Sequence, residues 1–135
     1  MDNAHVLIVE DDDTIRRLLV EYLGQQAALS VEGARDGVEA LHRVSRKQYE
    51  IVVLDLMMPL MSGVDFLDSV QALRADPSVK SLTRQPRVLI ITGAPSTEVP
   101  AETLQRRFPT LVKGVFRKPL DVALLAAVVE SELRR

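Results

Sequence analysis

The sequence predicts an α/β domain in which a parallel sheet is covered by helices on both faces. Three observations carry that expectation. Short, uninterrupted apolar runs recur: Val6-Leu7-Ile8-Val9, Ile51-Val52-Val53-Leu54, Val88-Leu89-Ile90-Ile91 and the weaker Val115-Phe116. Such brief, largely β-branched runs suit strands buried on both sides, as in a parallel sheet. Between them the apolar period changes to that of a helix, and the alternation of strand and helix repeats along the chain. A further weak strand is expected from Leu29 to Glu32. Right-handed crossovers then leave few ways to connect the elements.

The helices follow in order. Ile15, Leu18, Leu19, Tyr22 and Leu23 mark one face of a first helix, with Gly24 at its end. Val38, Leu41 and Val44 mark a second, opened by Asp36 with Glu39 three residues on, a capping box. Val64, Leu67, Val70 and Leu73 mark a third, with Ser62 as N-cap. Between Pro95 and Pro109 the prolines leave room for a short helix, from about Pro100 to Phe108. Val122, Leu125, Ala126, Val129 and Leu133 mark the last, with Asp121 at its start and Arg134 and Arg135 at its negative end.

Composition narrows the function classes. The 135 residues are read as one domain, 1–135, with 47% apolar and 27% charged residues, a globular balance. Seventeen basic residues against 19 acidic ones leave a net charge of −2, so no global field favours nucleic acid or an anionic membrane. The chain has no cysteine, which removes disulfides and thiolate chemistry. No export signal opens the sequence, and the apolar runs fall far short of the roughly 20 residues that span a bilayer. A soluble, cytoplasmic protein without membrane insertion or direct nucleic-acid contact is expected.

In an open parallel sheet the reactive site lies beyond the carboxyl ends of the strands. Glu10-Asp11-Asp12-Asp13 follows the first run, Asp55 the Ile51–Leu54 run, Thr92 the next, and Lys118 the last. Asp12 and Asp13 fit helix capping. Asp11 is open between capping and ligation. Asp55 is different, because a carboxylate after four core-type residues is costly unless paired or metal-bound. Thr92 alone reads as a strand-end residue and Lys118 alone as solvated surface. Together the five residues make a pocket with the parts for a hard divalent cation and a phosphoryl group.

The segment Leu54-Asp55-Leu56-Met57-Met58-Pro59-Leu60-Met61-Ser62-Gly63 resembles the phosphoacceptor loop of bacterial response-regulator receivers. Val9-Glu10-Asp11-Asp12, Thr92-Gly93 and Lys118-Pro119 match further pieces of that family in order, so the resemblance covers essentially the whole chain. It implies a flavodoxin-like three-layer fold of five parallel strands in order 2-1-3-4-5 with five helices. It implies Asp55 as phosphoacceptor and Mg²⁺ as cofactor. The metal would be held by Asp11, Asp55 and the backbone carbonyl of Met57, with Glu10 acting through water. Lys118 would hold a phosphoryl oxygen, Thr92 another after transfer, and the Lys118-Pro119 peptide would be cis. The implied partners are a sensor histidine kinase or phosphotransfer protein, and a downstream protein target or an output domain outside this chain.

The chain also departs from that family. The usual aromatic position three residues before the lysine holds Val115, and Phe116 would face the other side of its strand. The proline-broken stretch from Pro95 to Pro109 is longer and less regular than the family's fourth helix. Two rivals to a phosphorylated switch follow: a non-switching receiver used as a binding module, and a small Mg²⁺-dependent phosphohydrolase. An enzyme is not expected, because phosphohydrolases of the haloacid-dehalogenase type want an aspartate two residues after the nucleophile, where Met57 stands. No Gly-rich phosphate loop follows any strand.

Overall fold

The computed structural model describes residues 3–26, 28–58, 60–93 and 101–134. Its elements are β1 (Ala4–Val9), α1 (Asp13–Gly24), β2 (Leu29–Ala34), α2 (Gly37–Arg46), β3 (Ile51–Asp55), α3 (Gly63–Arg74), β4 (Arg87–Thr92), α4 (Ala101–Arg107), β5 (Val112–Arg117) and α5 (Val122–Leu133), with a 3₁₀ turn at Lys80–Leu82. The strands pair in the order β2-β1-β3-β4-β5, every pair parallel. This is the flavodoxin-like order that the motifs imply. Pro59 and the 94–100 stretch, with Pro95 and Pro100, lie outside the described residues.

Alternation along the strands builds two cores. Val6, Ile8, Ile51, Val53, Leu89 and Ile91 pack with Leu19 and Leu23 of α1 and Leu125 and Val129 of α5. Leu7, Val9, Val52, Leu54, Val88 and Ile90 pack on the other face, with α2, α3 and α4. Each helix is therefore anchored by an apolar stripe on a sheet that is buried from both sides, which is why the central strands read as unbroken apolar runs. β2 is an edge strand whose residues are mostly half-buried, so it lacks such a run and extends past the expected Glu32 to Ala34.

The predicted caps are present. Asp12 accepts a hydrogen bond from the Ile15 N–H at 2.9 Å, Asp36 from Glu39 at 2.8 Å, Ser62 from Asp65 at 3.1 Å and Asp121 from Leu124 at 3.0 Å. Each satisfies an N–H that the helix cannot.

Other expectations shift. The helical period puts Leu18 and Val38 on buried faces, yet each is about half exposed. In α2 the buried stripe runs through Gly37, Ala40 and Val44, one position round from Val38. Gly37 belongs there because Met61 occupies the space of its missing side chain: a Cβ would lie 2.9 Å from the Met61 Cβ. Gly24 closes α1 without a left-handed turn; the cap is Gln25, and the positive φ falls on Ala28.

Leu60 also has a positive φ, 71°, and is 83% exposed. A leucine in that region crowds its own backbone, at a cost of about 1 kcal/mol that asparagine avoids. Leu60→Asn is expected to stabilise the fold by about 1 kcal/mol in urea unfolding. A loss of stability instead would show that the leucine makes contacts outweighing its conformation.

Candidate functional site

The register of β1, β3 and β4 brings their carboxyl ends to one edge. Val9 stands beside Leu54, and Asp55 beside Ile91. Glu10 follows β1, Asp55 ends β3, Thr92 ends β4, and Lys118 follows β5. Asp55 shares the alternation of Ile51 and Val53, toward α1 and α5; Thr92 shares that of Val88 and Ile90, toward the opposite layer. Glu10 and Asp55 are both 1% exposed.

Within this edge the Lys118 Nζ lies 3.4 Å from Asp55 Oδ2 and 3.5 Å from Glu10 Oε1. The other Asp55 oxygen accepts the Met57 N–H at 3.0 Å, and Glu10 Oε2 accepts the Asp12 N–H at 3.2 Å. Glu10 Oε1 is buried and has no hydrogen-bond partner, since the lysine contact is an ion pair outside bonding geometry. Oxygens of Glu10, Asp11 and Asp55 lie within 4.8 Å of one another, with Asp11 on the solvent side. The Lys118 ammonium thus faces two buried carboxyl groups with a third beside them, and an all-oxygen set with a buried, unsatisfied acceptor fits a hard divalent cation.

The family model described as the response regulator receiver domain matches residues 6–130. The chain belongs to that family. The chemotaxis protein CheY-3 of Vibrio cholerae is 32% identical over 133 residues, covering 98% of this chain and 94% of CheY-3. A protein-glutamate methylesterase/protein-glutamine glutaminase of Rhizobium etli is 39% identical over 77 residues; the match covers 56% of this chain and only 22% of that longer protein. The receiver domain of the Francisella response regulator 1452 shares the fold, with a TM-score of 0.75, 23% identity and 98% of each chain covered.

In this receiver the pocket's charge balance perturbs its own groups. The Glu10 carboxyl is pushed from 4.5 up to about 8, mainly by burial and further by the neighbouring Asp55 carboxyl. Burial alone would lower the Lys118 ammonium, but the charges of Asp55 and Glu10 raise it on balance.

Every predicted site residue falls at this edge, and the Lys118-Pro119 peptide is cis. Thr92 is 9% exposed, and its carbonyl accepts the Lys118 N–H at 2.9 Å, so the two strand ends are tied through the backbone. Asp12 caps α1 as read, and Asp13 pairs with Arg16. Val115 packs with the α2, α3 and α4 layer and Phe116 with the opposite one, as strand alternation requires. Arg16 was not anticipated; it donates to the Glu10 carbonyl, and the only sequence signal was its i+3 spacing from Asp13. Among the described residues no helix is long and apolar enough to cross a membrane.

A carboxyl whose pKa is raised on folding favours the folded state while protonated, and that contribution disappears as pH climbs through the raised value. In metal-free buffer, Glu10 should therefore remove stability between about pH 4.5 and about pH 8. Glu10→Gln should flatten the decline over that window relative to wild type, read as the difference between their urea midpoints. Parallel pH profiles would show that Glu10 is ionised throughout.

Proposed function

We propose that this receiver accepts a phosphoryl group on Asp55 and that Mg²⁺ is held beside it by Asp11, Asp55 and the Met57 carbonyl, with Glu10 acting through water. The observation that carries the reading is a buried Asp55 carboxylate with one oxygen held by the Met57 N–H and the other facing Lys118 Nζ at 3.4 Å. A carboxylate is a poor nucleophile toward a phosphoryl group because like charges repel. When bound, Mg²⁺ supplies positive charge that offsets this repulsion. Lys118 offsets it from the other side, and its ammonium is positioned to hold a phosphoryl oxygen.

The donor is read as a phosphohistidine on a sensor kinase or phosphotransfer protein. A bond forms between an Asp55 oxygen and phosphorus while the phosphorus–nitrogen bond breaks, and the electron pair returns to the imidazole. The Thr92 hydroxyl, at the neighbouring strand end, then donates to the new phosphoryl group. The added charge, about −1.5 to −2, changes the surface that a downstream protein meets. On this reading residues 1–135 act as one receiver unit in the cytoplasm, with output through protein contacts and no chemistry of their own beyond accepting and losing the group. The methylesterase relatives are much longer than this match, so their named activity is not carried over.

Incubation with Mg²⁺ and acetyl phosphate should add one phosphoryl group by intact mass, and Asp55→Asn should abolish the gain while remaining folded. Full labelling of that variant would remove Asp55 from its role. Metal ligation is tested separately. Asp11→Asn should weaken Mg²⁺ binding at least tenfold, whereas Asp13→Asn should leave it nearly unchanged, because Asp13 is occupied by Arg16. Equal losses in a Mg²⁺ titration would mean that the ligand is misassigned.

A further inference from the structure

Arg16 sits at the edge of the acidic pocket and reaches back from α1 to the loop that carries Glu10 and Asp11. Its Nη1 donates to the Glu10 backbone carbonyl at 2.8 Å, and its Nη2 pairs with Asp13. The side chain is only 18% exposed. Its stem crosses β2 at Gly33, where a Cβ would come within 3.0 Å of the Arg16 Cδ. The bare backbone of Gly33 thus makes the channel through which the guanidinium reaches the loop.

The loop is held from two sides at this point. The Glu10 N–H donates to the Ala34 carbonyl of β2 at 3.1 Å, while the Glu10 carbonyl accepts from Arg16. That carbonyl belongs to the peptide unit joining Glu10 to Asp11. The unit is planar, so fixing its oxygen also fixes the direction in which Asp11 leaves it. Asp12 is fixed next, as the N-cap of α1. Asp11 itself is exposed, so burial does not set its orientation. A planar guanidinium can serve the carbonyl and the carboxylate at once; a lysine ammonium, with its flexible stem, matches that geometry poorly.

We propose that Arg16 is a positioning residue for the divalent cation: by clamping the Glu10–Asp11 peptide it holds the two carboxyl groups where a metal can use them. Gly33 is its counterpart, kept free of a side chain so that the arginine stem can pass. The inference rests on the reading of the acidic pocket as a Mg²⁺ site.

The test compares wild type, Arg16→Met, Arg16→Lys and Gly33→Ala by calorimetric Mg²⁺ titration, with thermal midpoints taken in EDTA. Arg16→Met keeps the stem and removes the donors, and should weaken Mg²⁺ binding about tenfold, the scale of lost outer-shell support in metal sites. Arg16→Lys should recover part of that loss. Gly33→Ala leaves the arginine in place but displaces its stem, and should move the affinity in the same direction. Acetyl phosphate labelling of Arg16→Met should be slow at low Mg²⁺ and return toward the wild-type rate at saturating Mg²⁺. A lower midpoint in EDTA with wild-type Mg²⁺ affinity in both Arg16→Met and Gly33→Ala would overturn the inference, since Arg16 would then serve the fold alone. Wild-type protein without Mg²⁺ binding would overturn the pocket reading itself, and this inference with it.

Discussion

The burial of Glu10 and Asp55 side by side, with a single ammonium between them, is the constraint around which the rest of the edge is arranged. Taking an ionised carboxylate out of water costs several kcal/mol unless partners replace the lost hydration. Asp55 has such partners in the Met57 N–H and Lys118. Glu10 has a backbone N–H on one oxygen and no hydrogen bond on the other. Burial, with the Asp55 carboxyl beside it, raises the Glu10 pKa. A pocket left this way is short of positive charge, which suits it to a cation. The two apolar cores can tolerate the expense because the sheet beneath the pocket is buried on both faces.

The same two-residue alternation that builds those cores also distributes the chemistry. Asp55 continues the row that faces α1 and α5, while Thr92 and Val115 lie on the row that faces α2, α3 and α4. The pocket is therefore not confined to one layer. Its charged groups meet on one side, and its hydroxyl stands on the other, joined by the hydrogen bond from the Lys118 N–H to the Thr92 carbonyl. The two layers thus meet at strand ends that are tied to each other through the backbone.

How much of this could be read from the sequence depends on whether a signal was local. The buried strands β1, β3 and β4 are continuous apolar runs, and the four caps are side chains placed next to the N–H groups they serve, so both were legible. The edge strand β2 is half-buried and its run is broken, which hid its end. Helical period alone placed Leu18 and Val38 inside, because it cannot tell the centre of a buried stripe from its margin; the close seat of Met61 on Gly37 settles that in α2. At the site, Glu10, Asp11, Asp55, Thr92 and Lys118 were visible because each follows an apolar run. Arg16 was not, since it bonds a backbone carbonyl and its stem lies over Gly33 of β2. Neither relation leaves a pattern along the chain.

The layer that holds α4 shows how lightly a helix can be fastened to a buried sheet. α4 has seven residues, and Leu104 together with Phe108, just past its end, carries its buried contacts. Its polar ties are Arg107 to Asp68 of α3 and Glu102 to Arg117 of β5, all four side chains substantially exposed. Ion pairs of that kind are screened by water and salt and hold their elements loosely. Val115 beneath them is short and branched at Cβ, with few rotamers and no ring to swing. Among the described residues, then, α4 is held by the apolar anchors Leu104 and Phe108 and by ion pairs that water screens. Arg117 is bonded through the chain to Lys118 and pairs through its exposed guanidinium with Glu102, so its link between the pocket's edge and α4 is a screened one.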